Sequence, residues 1–324
     1  MTVPHSSQEV LMNREEYKEL FRFLDEMQAD GKLEYSIDSP LAPYSTFRIG
    51  GPADLIVFPY TKEALIGLLA ELGAKRIRHD VFGNGSNVLF ADEGYRGVVI
   101  ITTKMNQIKR VGDMLVADAG VSFTGLAVRA LKEGLTGLEF AYGIPGSVGG
   151  AIYMNAGAYD GEVAQICTET SVYLQNDALM GEVVIISGDD QKFGYRTSAF
   201  QTMNNGVILG GKFQLKPGDP EEIKAKMSDL MFRRRDKQPL EYPSAGSTFK
   251  RAPGYFTAKL IDDAGLKGFS VGGAQVSEKH AGFVINRDKA TSADVKNLIA
   301  TIQKTILEKT GVSIECEVRI IEAE

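Results

Sequence analysis

The stretch LEFAYGIPGSVGGAIYMNAGAYDGE, residues 138–162, decides how this 324-residue chain is read. Gly143, Gly146, Gly149, Gly150, Gly157 and Gly161 recur through it, with Ser147, Ala151, Ala156 and Ala158 between them. Glycine permits φ > 0 and lets another group approach a backbone that has no Cβ in the way. Pro145 stiffens the first turn. Successive N–H groups in such a narrow loop can cradle an anion. No Gly-Lys-Ser/Thr follows, so this is not a Walker loop, and GxxGxxGG is not the GxGxxG nicotinamide fingerprint. On the residues alone two readings stand side by side: a tight inter-strand connection and a phosphate cradle.

Composition narrows the rest. Hydrophobic residues make up 44% and charged residues 24%, ordinary for a globular protein with a sizeable core. A net charge of −6 argues against a general nucleic-acid role, so any anionic ligand must be met by a local basic cluster. Cys167 and Cys316 lack metal-site spacing, and His5, His79 and His280 are scattered, so no metal is expected. The N-terminus has no apolar core of signal-peptide length and no apolar run is long enough to span a membrane; a cytoplasmic protein is expected.

Working outward along the chain, residues 8–29 carry Val10, Leu11, Tyr17, Leu20, Phe21, Leu24 and Met27 at helical spacing. A strand at 55–58 precedes a helix over 61–72, capped by Thr61 and stopped by Gly73. Residues 78–89 give a short strand, a second polar glycine loop at 83–87, and a return. Strands follow at 98–101 and 114–118, and a helix at 122–132. Beyond 138–162, strands are expected at 171–174, 183–186 and 207–215. The polar break KPGDP (216–220) marks a domain boundary. After it, Asp219 and Pro220 open a helix whose end is basic: Arg233, Arg234, Arg235 and Lys237. Cations suit a helix C-terminus; three adjacent arginines suit an anion site as well. Helices at 255–264 and 292–309 lead to a last strand, 313–321. There alternation puts Ile314, Cys316, Val318 and Ile320 on one face, and Glu315, Glu317 and Arg319 with Ile321 on the other.

Eight pieces taken in order carry a resemblance: TFRIGGPAD (46–54), VFGNGSNVL (81–89), GLEFAYGIPGSVGGAIYMNAGAY (137–159), YRTSAF (195–200), RRRDKQP (233–239), GSTFKR (246–251), GGAQVSEKHAGFVIN (272–286) and ECEVRIIE (315–322). The chain resembles the flavin-dependent UDP-N-acetylenolpyruvoylglucosamine reductases of bacterial cell-wall synthesis. The short connection from YRTSAF to GSTFKR looks like the family type that lacks an inserted substrate-covering loop. One departure is Asn84 between Gly83 and Gly85, where a third glycine is usual.

The resemblance implies an α+β fold of the kind shared with vanillyl-alcohol-oxidase-type (PCMH-type) flavoproteins. It divides the chain into a helical extension (1–34), an FAD-binding domain (35–216, in two subdomains of about 35–104 and 105–216) and a substrate-binding domain (217–324). It implies non-covalent FAD, with Gly83, Asn84, Gly85, Ser86 and Asn87, and Gly143, Pro145, Gly146, Ser147, Gly149, Gly150 and Ala151, along the diphosphate. Thr46, Arg48 and Ile49 would sit beside the isoalloxazine or its phosphates. The implied reaction reduces an enolpyruvyl ether to a lactyl ether. Hydride passes from NADPH through flavin N5 to the vinyl carbon, and the cofactor does the hydride work. Arg196 matches the family's catalytic arginine, Ser247 its proton donor and Glu317 its catalytic glutamate; a guanidinium can stabilise charge growing into the substrate carboxylate. Lys237, Lys250 and Arg251 stand near the family's substrate-binding positions and are expected to bind substrate, and Tyr195 would seat Arg196 or the nicotinamide. Through its product such an enzyme serves peptidoglycan synthesis, cell shape and division.

Each role has a plainer rival. A serine between glycine and threonine is commonly a turn residue, and an arginine is commonly a surface ion pair. Glu317 shares its strand face with Glu315 and Arg319, as a solvated face would. His280 is open to a core hydrogen bond or a flavin contact. Two other functions compete: a flavin oxidase of the same fold acting on a polyol or lactone, and a non-catalytic sugar-nucleotide sensor. Many such oxidases hold flavin through a His in the glycine loop, and neither 83–87 nor 143–150 contains one. Arg196, Ser247 and Glu317 all stand at matched positions, which opposes a sensor.

Overall fold

The structure, a computed structural model, describes residues 15–175, 181–203 and 205–324. The chain folds into two compact units that interleave along the sequence. One comprises the chain up to Ser39, Ala53–Asn84 and Arg96–Met231; the other comprises Pro40–Pro52, Gly85–Tyr95 and Phe232–Glu324.

Among the described residues the first unit holds two larger sheets and two two-stranded ones. One has four strands in the order Leu33–Pro40, Pro52–Pro59, Tyr95–Ile101, His79–Phe82. Helices α1 (Glu15–Ala29) and α2 (Lys62–Ala74) belong to its core: Leu20, Leu24, Leu65, Leu68 and Leu72 form one buried cluster with Leu55, Val57, Val98 and Ile100. The spacing of those leucines is the helical period that put them on one face. Residues 8–14 of the expected leading helix lie outside the described residues. Thr61 caps α2, its hydroxyl accepting from the Ala64 N–H at 3.2 Å. Gly73, expected to stop this helix, lies inside it. A Cβ there would come within 1.5 Å of the Gln175 amide nitrogen, so the glycine makes room for a neighbouring strand.

The other larger sheet is antiparallel, in the order Gly181–Ser187, Cys167–Gln175, Gly206–Gln214, Met114–Asp118, Ile108–Val111. Helices α3 (Phe123–Lys132) and α4 (Val148–Tyr153) share its core, where Phe123, Leu126, Val148 and Ile152 join Val172 and Phe213. Helix α5 (Pro220–Lys237) opens as expected, with Asp219 Oδ1 accepting from the Glu221 N–H at 2.8 Å. Its Ile223 and Met227 join the same core.

The second unit packs helices α6 (Thr257–Asp263) and α7 (Ser292–Thr310) with a three-stranded sheet, Ser270–Val271, Ala274–Val276 and Val284–Asn286. Phe47, Ile49 and Leu89, far earlier in the chain, complete its core with Leu298, Ile302 and Val318. Asp92 ties the early segment to α7: its carboxylate accepts from the N–H groups of Ser292 at 2.7 Å and Ala293 at 3.0 Å. Those are orphan donors of a helix start, and a carboxylate there also suits the helix dipole.

The last strand differs from the expected 313–321. Only Arg319–Ile321 is a continuous strand, parallel to Val88–Phe90, while Cys316 forms an isolated bridge with Phe249. Ile314 and Val318 are buried as alternation requires, but then the phase slips: Ile320 is 38% exposed and Ile321 is buried. A segment that pairs first with Phe249 and then with Val88–Phe90 serves two partners, and one alternating face cannot satisfy both.

Candidate active site

Loop 83–87 leads out of the strand His79–Phe82. The N–H groups of Gly83, Asn84, Gly85 and Ser86 meet no acceptor among the described residues. Gly85 has φ +57, a conformation that favours glycine, and a Cβ there would lie 2.1 Å from the Tyr44 carbonyl oxygen. The Gly85 carbonyl accepts from the Thr46 N–H at 3.1 Å, so Thr46 sits against the loop as backbone support. Asn84 spends its side chain on protein, donating to the Pro145 carbonyl at 2.9 Å.

Segment 143–150 is built differently. The N–H of Gly143 goes to Thr124 Oγ1, that of Ile144 to the Ala141 carbonyl, and those of Val148 and Gly149 to the carbonyls of Val121 and Ala119. Gly150 donates to Ser147 Oγ at 3.3 Å, which makes Ser147 the cap of α4. Both segments are expected along the diphosphate, and they offer it different numbers of donors. In 143–150 most donors are consumed internally, because the segment starts a helix and pairs with residues 119–122; only Gly146 and Ser147 keep an uncommitted N–H. Gly149 is a close-packing position in it, whereas an added Cβ at Gly150 would make only ordinary contact with Ser147 Oγ at 3.5 Å. A Cβ on Gly149 would meet the Ala119 Cβ at 3.0 Å, and Gly83 is held bare by Ser147, whose Oγ would be 1.9 Å from an added Cβ.

The expected arginine stands on a two-residue turn. Gly194 and Thr197 exchange backbone hydrogen bonds at 3.0 and 3.2 Å, with Tyr195 and Arg196 at the tip. Arg196 adopts φ +55, a strained value for a side-chain-bearing residue. The turn is over-determined by neighbours that sequence reading missed. Asn155, fully buried, donates to the Gly194 carbonyl at 2.9 Å; Gln201 donates to the Arg196 carbonyl at 3.0 Å; Ser198 donates to the Tyr153 carbonyl at 2.7 Å. The Arg196 guanidinium donates to the Gly157 carbonyl at 3.0 Å and lies 5.2 Å from the Tyr195 ring centroid. Tyr195 itself is 53% exposed. The cue was the Asn155 amide among glycines and alanines, a polar side chain with no reason to be there except hydrogen bonding.

The segments that carry Ser247 and Glu317, 70 positions apart in sequence, run side by side in the second unit. Segment 248–250 pairs with 315–317: the Lys250 N–H donates to the Glu315 carbonyl at 2.9 Å and the Glu317 N–H to the Thr248 carbonyl at 2.8 Å. Ser247 is exposed, next to Gly246 at φ +77 and the fully buried Thr248. Thr248 Oγ1 accepts from the Val284 N–H at 3.0 Å and fixes the segment from beneath. Glu317 is held from its other side by Asn87, whose side-chain amide donates to the Glu317 carbonyl at 3.1 Å, while the Asn87 carbonyl accepts from the Arg319 N–H at 3.0 Å. Asn87 therefore connects the glycine loop to the backbone that presents Glu317.

The remaining expected residues divide. Lys250 is in an ion pair with Glu315 at 3.0 Å, Arg251 lies 5.0 Å from the Phe256 ring, and Lys237 is exposed in the last turn of α5. Ile49 is buried core and Ala151 is buried in α4. Arg48 is exposed, and its guanidinium donates to the Pro43 carbonyl at 3.1 Å. His280 makes the local bond: Nδ1 accepts from the Gly282 N–H at 3.1 Å, the ring stands edge-on to Phe283, and burial lowers its pKa. Both cysteines are free; burial pushes the Cys167 thiol up to about 11 and raises that of Cys316. Among the described residues no helix is long and apolar enough to cross a membrane.

Residues 53–184 match the FAD binding domain family, and residues 238–321 match the C-terminal domain of UDP-N-acetylenolpyruvoylglucosamine reductase. An α+β flavoprotein with a dedicated second domain is the class these matches and the two units define. At full length, a UDP-N-acetylenolpyruvoylglucosamine reductase of Clostridium novyi is 48% identical over 86% of this chain and 89% of its own length. One from Caldanaerobacter subterraneus is 46% identical over 92% of this chain and 96% of its own. The crystal structure of the Thermus caldophilus enzyme superposes with a TM-score of 0.72 at 33% identity, covering 89% of this chain and 98% of that one. The chain belongs to the UDP-N-acetylenolpyruvoylglucosamine reductase family.

Proposed function

We propose that this chain is an NADPH-dependent, FAD-containing reductase that converts UDP-N-acetylglucosamine enolpyruvate to UDP-N-acetylmuramate in the cytoplasm, supplying peptidoglycan synthesis. The observation that carries the reading is the pairing of the Ser247 and Glu317 segments inside a chain 48% identical to enzymes of that name. The residues fit the cofactor at loop 83–87, where a run of uncommitted N–H groups suits a diphosphate. Ser86 adds a hydroxyl there, and Gly146 and Ser147 add the free donors of the second segment. Bound FAD supplies the hydride chemistry, taking from NADPH what the vinyl carbon receives.

The chain's own residues do the rest. As the vinyl group is reduced, negative charge develops beside the substrate carboxylate. Arg196, fixed by its strained turn, meets that charge with a guanidinium that needs little reorganisation. The Ser247 hydroxyl donates the proton to the carbanionic carbon; a weak acid suffices because that carbon is a far stronger base. Glu317, protonated or paired with a cation so that it does not repel the growing charge, shares in stabilising the enolate, with its backbone clamped by Thr248 and Asn87. Lys237, Lys250 and Arg251 supply positive charge for the diphosphate of the sugar nucleotide, with Tyr195 beside Arg196.

The test is NADPH oxidation by the purified yellow protein with and without the enolpyruvyl sugar nucleotide. Dependence on that substrate is expected. A colourless protein that takes up no FAD, or oxidation indifferent to the substrate, would overturn the reading. Ser247→Ala then separates the roles. Flavin reduction by NADPH should stay near normal while reoxidation by substrate slows about 100-fold or more. If both half-reactions fall together, Ser247 is structural.

A further inference from the structure

In the second unit, Arg48, Tyr242, Asn286, Arg287, Asp288 and Lys289 line an open groove of about 540 Å³. That volume is on the scale of small-molecule sites. Three of these side chains are cations on a protein whose net charge is −6. Among the described residues, none of the three is in an ion pair with a carboxylate. Most other lysines and arginines with a described contact are so paired, for example Lys62 with Asp118 and Arg96 with Asp54. Unpaired like charges around one concavity repel one another, so a cluster of this kind raises the local affinity for an anion.

The groove is also shaped. Arg287 stacks on the Tyr242 ring, 4.7 Å from its centroid, and contacts the Tyr242 hydroxyl. Asn286 locks the floor, donating to the Phe47 carbonyl at 3.0 Å and accepting from the Ala290 N–H at 2.8 Å. Arg48 and Lys289 hold φ of +58 and +49, backbone conformations that cost energy for residues with side chains and cluster at ligand sites. Guanidinium groups bind phosphate oxygens in a bidentate way. Asp288 disfavours a bare inorganic anion but can accept from ribose hydroxyls, and the Arg287–Tyr242 pair offers a flat surface to a base.

We propose that this groove binds the phosphate and ribose of a nucleotide. The ligand is held by Arg48, Arg287 and Lys289 and oriented by Asp288 and Tyr242. It is either one half of the dinucleotide reductant or a free nucleotide. In the first case the proposal rests on the reductase reading and in the second it goes beyond it; the binding test requires no turnover in either.

The test is calorimetric titration of the FAD-loaded protein with 2′,5′-ADP, ADP and inorganic phosphate, comparing wild type with Arg287→Glu/Lys289→Glu. Saturable binding of a nucleotide probe, weakened tenfold or more in the double variant and by added salt, is expected. Equal affinity in the two proteins, or binding of inorganic phosphate as tight as that of the nucleotides, overturns the proposal. Arg287→Gln/Lys289→Gln repeats the comparison without charge reversal, in case the first variant fails to fold. A raised KM for NADPH with kcat retained assigns the ligand to the reductant. An unchanged KM with weakened ADP binding assigns it to a free nucleotide.

Discussion

The two glycine-rich loops look alike in sequence and are opposite in construction. Residues 83–86 leave their backbone N–H groups uncommitted among the described residues, whereas segment 143–150 spends most of its own on Ala119, Val121, Thr124, Ala141 and Ser147. One is a set of donors waiting for an acceptor. The other is a support whose donors are used internally, and close approach of protein to a missing Cβ occurs in both loops: at Gly149 against Ala119, and at Gly83 and Gly85 against Ser147 and Tyr44. A glycine count cannot tell these apart, because a missing Cβ signals close approach without saying of what.

The comparison breaks most readily at Gly85. Alanine there meets two penalties together: φ +57, and a Cβ 2.1 Å from a main-chain oxygen that cannot swing aside. Gly85→Ala should cost about 3 kcal/mol or more, combining a disfavoured backbone with overpacking. A two-state thermal melt reads this directly; a variant as stable as wild type would show that the loop relaxes freely.

Gly83→Ala should cost less, about 1–3 kcal/mol, because its obstacle is a side chain. Its added Cβ would meet Ser147 Oγ at 1.9 Å and Cβ at 2.7 Å. Ser147→Gly removes both atoms, so the double variant should recover part of the loss. Additive effects in the double-mutant cycle would mean that the loops do not touch.

How much of this was legible in the sequence follows from the same distinction. The helical periods and the cap at Thr61 were legible: Thr61 accepts from the Ala64 N–H as expected, because such signals are local. The family motifs marked the Ser247 and Glu317 segments that pair in the second unit. What stayed hidden needed knowledge of distant neighbours. Gly73 reads as a helix stop but makes space for Gln175. The slip between Val318 and Ile321 comes from a change of partner. Residues 40–52 and 85–95 belong with the C-terminal part through contacts such as Asp92 with α7 and Asn286 with Phe47, for which chain order gives no hint. Asn155 left a cue as a polar side chain among glycines and alanines, but that it holds the Arg196 turn, 39 residues on, needed the fold.

Two serines give the finest separation of the loops. Ser147→Ala loses the cap on α4 and should cost about 1 kcal/mol in the flavin-free protein. Ser86 lies in the other loop, and its hydroxyl and N–H have no hydrogen-bond partner among the described residues. Ser86→Ala should leave the flavin-free melt within about 0.5 kcal/mol of wild type. If loop 83–87 holds the diphosphate, the same change should weaken FAD about fivefold, the size of one lost hydrogen bond of about 1 kcal/mol. The two variants thus move opposite observables, stability in one and cofactor affinity in the other. A Ser86→Ala protein that melts early but retains FAD normally would mean that its hydroxyl supports the fold, and the contrast between donor loop and packed loop would disappear.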